Sequence, residues 1–311
     1  MNKTKIIFIG AAAFGLPAFQ ALLDDSDFEI ALAITQPDRP AGRKQLIIPS
    51  PIKTQAEKFG IAVLQPQIIM DIREKIFLLN PDLIIVAAYS QLLPEEILSI
   101  PKFGCLNLHA SLLPKYRGAA IIAAAILNGD EKTGLTVIKM DRGLDTGPIL
   151  AQLPLAIAPD DTTGSLYDKL SLAGANFTIS AVKNYLAGKL IPRPQDNARA
   201  SYVKELVKAD GLIDWNKPAA ELERFIRAMN PWPLAWSWWN GKQIKILTAQ
   251  GQPIEINTYK PGKTFKYNRG LAVQCGRDAL IIKRLQLEGK NVLSSEEFLL
   301  GQKEFMGSIL G

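Results

Sequence analysis

The chain contains one histidine, His109. Histidine is the side-chain type whose ordinary pKa, ~6.5, suits proton transfer near neutral pH, so acid–base chemistry here would centre on it. Asn107 precedes it by two, and residues two apart on a strand share a face. An amide N–H beside an imidazole can donate to a developing oxyanion while the ring handles a proton. Asp141 and Asp145 lie 32 and 36 residues further on. Either could orient the imidazole and favour its charged form. Each residue also has a plain structural role open to it. A strand histidine can be a half-buried packing residue, an asparagine near a strand end a cap, and both aspartates sit among glycines as loop acids do. Spacing does not choose between the two aspartates.

The elements that must hold these groups follow from local pattern. Cys105-Leu106-Asn107-Leu108-His109 alternates as a strand, with Leu106 and Leu108 on the face opposite Asn107 and His109. Ala119 to Leu127 is a small-residue apolar run that predicts a buried helix, ended by Asn128-Gly129. Thr133 to Met140, rich in Thr, Val and Ile, predicts a second strand, and Asp141 to Gly147 a tight loop. Strand, crossover helix and strand together have the length of one βαβ unit. Such a unit predicts parallel strands whose ends share the sheet edge where open α/β folds bind ligands.

Asn107-x-His109-x-Ser111-Leu112-Leu113-Pro114-x-Tyr116-Arg117-Gly118, followed by Asp141-x-Gly143-x-Asp145-Thr146-Gly147, resembles the signature of the 10-formyltetrahydrofolate-dependent formyltransferases. The resemblance runs over nearly the whole chain and is strongest to the branch acting on initiator methionyl-tRNA. It implies formyl transfer from 10-formyltetrahydrofolate, a co-substrate, to the amino group of that tRNA for translation initiation. It implies Asn107, His109 and Asp145 as the catalytic residues. The run Ser111, Leu112, Leu113 and Pro114 is then the folate-binding stretch, with Tyr89 and Ser90 in a loop bordering the pterin pocket. The loop Gln36 to Leu46 is implied to engage the tRNA acceptor stem, through Arg39, Arg43 and Lys44. This chain departs from the family in places. Gly42-Arg43-Lys44-Gln45-Leu46 is one residue shorter and one lysine poorer than the usual loop, Ser90 replaces a usual glycine, and Ile121 a usual proline. None of these touches the three catalytic positions.

Composition agrees with a cytoplasmic protein. Of the residues, 48% are hydrophobic and 21% charged, as in ordinary globular chains. Cys105 and Cys275 are far apart and have no metal-ligand spacing, so neither a zinc site nor a disulfide framework is expected. No apolar run approaches the ~20 residues of a membrane span, and the start reads directly into a strand, without a leader peptide. The net charge of +6 is unevenly placed. Residues 1–189 hold 18 Lys+Arg and 18 Asp+Glu, whereas residues 190–311 hold 18 and 12. That segregation points to a polyanionic partner of the C-terminal part.

The expected architecture is α/β: a Rossmann-like N-terminal formyltransferase domain with a mostly parallel sheet (1–189), a linker (190–207), and a C-terminal OB-like β-barrel domain (208–311). The opening strand Lys5 to Ile9 leads into Gly10-Ala11-Ala12-Ala13-Phe14-Gly15, which is neither G-x-G-x-x-G nor a P-loop, so no dinucleotide cofactor is implied. Gly188 to Ser201 has little periodicity and reads as connector. Beyond it, Asn240-Gly241 is a two-residue hairpin signal and Ser294-Ser295-Glu296-Glu297 a capping box. Lys242 to Arg284 carries nine Lys+Arg against Glu255 and Asp278. Such a basic β-rich face suits a phosphate backbone, and Lys260, Lys263 and Lys266 are its candidate tRNA contacts. Trp232, Trp236, Trp238 and Trp239 are expected to be core and domain-junction packing. The expected assembly is a monomer, with no metal and no membrane partner. Rival readings are a formyltransferase for an amino sugar nucleotide or glycinamide ribotide, and a non-catalytic RNA-binding protein. The basic C-terminal part argues against the first, and the intact catalytic triplet against the second.

Overall fold

The computed structural model describes residues 3–41, 46–268 and 270–311. Contacts divide the chain into two units that are each discontinuous in sequence. One comprises Met1–Ile121, Lys132–Ala156 and Tyr167–Val203; the other comprises Ile122–Glu131, Ile157–Leu166 and Lys204–Gly311.

The first unit is built on seven strands: β1 (Thr4–Gly10), β2 (Phe28–Ile34), β3 (Val63–Leu64), β4 (Leu83–Ala87), β5 (Cys105–His109), β6 (Lys132–Lys139) and β7 (Ile149–Ala156). Their order across the sheet is β7-β6-β5-β4-β1-β2-β3. The pairs from β5 through β3 are parallel. β1 is apolar from Ile6 to Ile9 and β4 throughout, and both are buried there, as strands covered on two faces must be. Ser50 starts the helix Pro51–Lys58 by accepting a hydrogen bond from the Lys53 amide, and Pro51 occupies its first turn. The long helix Thr163–Leu186 is tied back where Ser171 Oγ donates to the Phe14 carbonyl, 2.9 Å.

The expected parallel βαβ return is corrected by the structure: β6 runs antiparallel to β5, and β7 antiparallel to β6. The segment after β5 is tied at its His109 end, where Thr136 Oγ1 donates to the Ser111 carbonyl and accepts the Leu113 amide hydrogen. The chain re-enters the sheet beside His109, with His109 opposite Thr136 and Leu106 opposite Lys139. The loop after β6 begins near the start of β5 and must double back to reach Asn107 and His109.

The second unit carries an antiparallel sheet of β8 (Ala235–Trp239), β9 (Lys242–Ala249), β10 (Thr264–Tyr267), β11 (Gly270–Gln274), β12 (Ala279–Leu287) and β13 (Leu293–Ser294). The order is β8-β9-β12-β11-β10, with β13 on β12. Asn240 (φ 47°) and Gly241 (φ 72°) form the β8–β9 hairpin, both left-handed as a two-residue turn requires. The helix Ala219–Ala228 buries Leu222 and Ile226. The tryptophans divide. Trp236 and Trp239 are buried, but Trp232 and Trp238 are 54% and 41% exposed. β8 is an edge strand, and Trp238 lies edge-on against Trp236 at 5.4 Å between ring centroids.

Candidate active site

β5 presents Asn107 and His109 on one face, as its alternation requires. His109 is 5% exposed. Its Nε2 lies 2.8 Å from the Tyr116 carbonyl oxygen. A carbonyl only accepts, so Nε2 carries a hydrogen and donates it. Nδ1 faces Asp145 Oδ1 at 3.5 Å and is the nitrogen left to take up a proton. Asn107 Nδ2 donates to the same Asp145 Oδ1, 3.3 Å. Two side chains of β5 thus converge on one carboxylate oxygen of the loop.

Asp145 reaches this place by an unusual backbone, φ 55°, in the left-handed region that non-glycine residues seldom adopt. Its other oxygen, Oδ2, accepts the Gly118 amide hydrogen, 2.9 Å. Gly118 (φ 104°) allows this because residues Arg117 and Gly118 pair with Tyr202 and Val203 at very close range. A Cβ at Gly118 would stand 2.3 Å from the Val203 carbonyl oxygen. Asp141 has a different occupation. Its Oδ1 accepts from the Gly143 amide at 3.1 Å and Thr146 Oγ1 at 2.6 Å, an Asx turn that shapes the loop. The choice that spacing leaves open is made by this division of labour, with one aspartate folding the loop and the other facing the imidazole.

The remaining expected site residues are distributed as follows. Ser111 is fully buried, and its Oγ donates to the Lys115 carbonyl at 2.7 Å. Leu113 is buried in a cluster with Ile138 and Ile149, and its amide donates to Thr136 Oγ1. Leu112 and Pro114 are half-buried. Tyr89 packs against the core on one side of the parallel sheet, and its hydroxyl is buried without a partner among the described residues. Burial pushes that hydroxyl above its ordinary pKa. Ser90 is exposed, and its Oγ accepts from Gln36 Nε2. Arg39, Lys260 and Lys266 are exposed, while Lys263 Nζ donates to the Gly307 carbonyl. Arg43 and Lys44 lie outside the described residues.

Local pattern gives no sign of Gln195, which holds two backbone carbonyls of the Asp145 loop, nor of the Gly118 amide. The only signal was that Arg117-Gly118 follows the Ser-Leu-Leu-Pro run. Burial pushes the thiols of Cys105 and Cys275 up to about 12, so neither is a nucleophile near neutral pH. Among the described residues no group of three or more His, Cys, Asp or Glu could hold a metal ion, and no helix is long and apolar enough to cross a membrane.

A strand-borne Asn and His facing a loop Asp, on a mostly parallel sheet followed by an antiparallel unit, define a class that sequence comparison also finds. Residues 4–182 match the formyl transferase family and residues 205–303 the formyl transferase C-terminal domain. The chain belongs to the formyl transferase family. Within it, the chain is 45% identical over 317 residues to the methionyl-tRNA formyltransferase of Geotalea uraniireducens, covering 100% of this chain and 99% of the relative. Solved structures share the fold. An N-formyltransferase from Helicobacter canadensis, in complex with folinic acid and dTDP-3-aminofucose, superposes with a TM-score of 0.68 at 19% identity, covering 90% of this chain and 99% of that one. The methionyl-tRNA formyltransferase of Clostridium thermocellum superposes with a TM-score of 0.57 at 18% identity, covering 90% and 99%.

Proposed function

We propose that the protein transfers the formyl group of 10-formyltetrahydrofolate to the amino group of methionyl initiator tRNA. The observation that carries this is the convergence of Asn107, His109 and Gly118 on the Asp145 carboxylate. Full-length likeness to a methionyl-tRNA formyltransferase supports the acceptor. In the reaction a C–N bond forms between the amine and the formyl carbon, and the bond from that carbon to the folate nitrogen breaks. The amine gives up a proton and the folate nitrogen gains one. Asn107 Nδ2 has a second amide hydrogen besides the one on Asp145, and this can meet the oxyanion formed on addition. His109 Nδ1 can hold the proton that the amine releases, and Asp145 stabilises the resulting imidazolium. Nε2–H stays on the Tyr116 carbonyl and keeps the ring aimed.

The donor set suits a folate. The Tyr89 hydroxyl has a hydrogen bond left to give, and Leu112 and Pro114 offer apolar surface. Since Ser111 and Leu113 are buried, the Ser111–Pro114 run would meet the folate through backbone and those two side chains. Lys260 and Lys266, exposed on the second unit, would meet tRNA phosphates, together with Arg39 and, by sequence, Arg43 and Lys44. We further take the C-terminal part to be the tRNA-binding domain. The testing experiment incubates the protein with 10-formyltetrahydrofolate and methionyl initiator tRNA, with His109→Ala as control. Formylmethionyl-tRNA from the wild type alone is the expected result. Product from both, or from neither, overturns the assignment.

A further inference from the structure

Arg117 is 2% exposed, and a buried guanidinium ordinarily needs a carboxylate. Here its hydrogen bonds go to neutral oxygens. Nε and Nη2 donate to Gln195 Oε1 at 3.1 and 2.8 Å, Nη2 also to Asn197 Oδ1 at 2.7 Å, and Nη1 to the Tyr202 hydroxyl at 2.8 Å. Gln195 passes the constraint on. Its Nε2 donates to the Asp145 carbonyl at 2.8 Å and the Gly147 carbonyl at 2.7 Å. Two hydrogens given and two bonds accepted use the whole amide, so Arg117 fixes which end of it faces the Asp145 loop. The contacts close into a ring. Arg117 joins by its peptide bond to Gly118, whose amide holds the Asp145 carboxylate, and through Gln195 to the Asp145 backbone.

We propose that Arg117 and Gln195 are positioning residues that hold Asp145 in its left-handed backbone and so set its carboxylate against His109 and Asn107. The physical reason is that a strained φ persists only where surrounding bonds over-determine it, and Asp145 is gripped at both carboxylate and carbonyl by one dipeptide and its amide partner. The proposal rests on the assignment of Asn107, His109 and Asp145 to formyl transfer. Gln195 is half-buried and lies in an irregular segment, so its substitution tests geometry without opening the core.

Two variants separate positioning from folding. Gln195→Glu keeps an oxygen for Arg117 but replaces the amide donor with a second acceptor facing two carbonyls. Gln195→Met keeps the length without charge. The first is expected to keep its thermal midpoint and to lower kcat about 10- to 100-fold, with KM for both substrates unchanged within about twofold, because a catalytic group ~1 Å out of place costs about that much. For the second, the readout is the imidazole nitrogen resonances of His109, unambiguous because the chain has one histidine. At fixed pH and without substrate, Gln195→Met is expected to move them in the direction that Asp145→Asn does. Wild-type kcat in Gln195→Glu overturns the proposal. So does a joint loss of midpoint and kcat with His109 resonances unmoved in Gln195→Met, which would reassign the network to folding. An Asp145→Asn protein with wild-type resonances also overturns it, by removing the pairing it serves. Since the resonances are read without substrate, they keep their meaning if the acceptor proves not to be tRNA.

Discussion

Gly118→Ala tests the junction on which the site hangs. Its methyl would lie 2.3 Å from the Val203 carbonyl oxygen, against the 3.4 Å at which ordinary contact begins, so the two short strands must part by about 1 Å. Holding alanine at φ 104° costs about 1–3 kcal/mol. Parting the strands weakens the bonds from the Arg117 amide to the Ser201 carbonyl (2.8 Å) and from the Ala119 amide to the Val203 carbonyl (3.0 Å), each worth about 0.5–1.5 kcal/mol net. The expected loss is about 2–6 kcal/mol, a fall of roughly 5–20 °C in the melting of the unit that holds Gly118, at ~2–4 °C per kcal/mol. The Gly118 amide moves with the strand and takes Asp145 Oδ2 with it, so kcat should fall by ~10². Thermal unfolding followed by circular dichroism measures the first effect, and steady-state formylation well below the melting range measures the second. A Gly118→Ala protein that melts within about 2 °C of wild type and turns over within about threefold would refute the argument that the missing Cβ is what lets Gly118 reach Asp145.

Asn107→Ala should lower kcat by ~10²–10³ with an unchanged melting curve, since it removes an oxyanion donor from a half-buried strand position; a loss under about fivefold would take Asn107 out of that role. Neutralising both Lys260 and Lys266 should weaken tRNA binding and reduce the slope of log K against log salt by up to ~2, at ~0.9 per phosphate contact. Lys263→Ala, whose ammonium is already engaged by the Gly307 carbonyl, should change the slope less, and three equal effects would contradict the distinction drawn from the structure. Glu297 caps the last helix, accepting from the Ser294 amide and hydroxyl, both at 2.8 Å, and the Ser294 amide chiefly holds its carboxyl below the ordinary value. A lowered folded pKa makes this cap's contribution full above the unfolded carboxyl pKa of ~4.3 and lost as pH falls through the folded value. The stability difference between wild type and Glu297→Ala should therefore be constant from pH 7 to about 5 and shrink toward about pH 3; urea midpoints that stay equally far apart at pH 3 would argue against it.

Features written in a few neighbouring residues could be read without the fold. Alternation in Cys105–His109 set the shared face of Asn107 and His109, Asn240-Gly241 marked its hairpin, and the Ser294–Glu297 box its helix start. Each depends on backbone geometry and hydrogen bonds within about one turn, where residue type and spacing are the whole cause. Three matters were settled only by packing at long range. β6 lies antiparallel to β5, with the segment after β5 bonded to it at Thr136, opposite His109. Asp145, not Asp141, faced the histidine because Asp141 was consumed in folding its own loop while the Gly118 amide, 27 residues away, drew Asp145 inward. Gln195 came from an aperiodic stretch, 50 residues beyond the loop it grips. No local pattern encodes such contacts, because what selects them is the need of buried donors and acceptors to find partners once the sheet has formed.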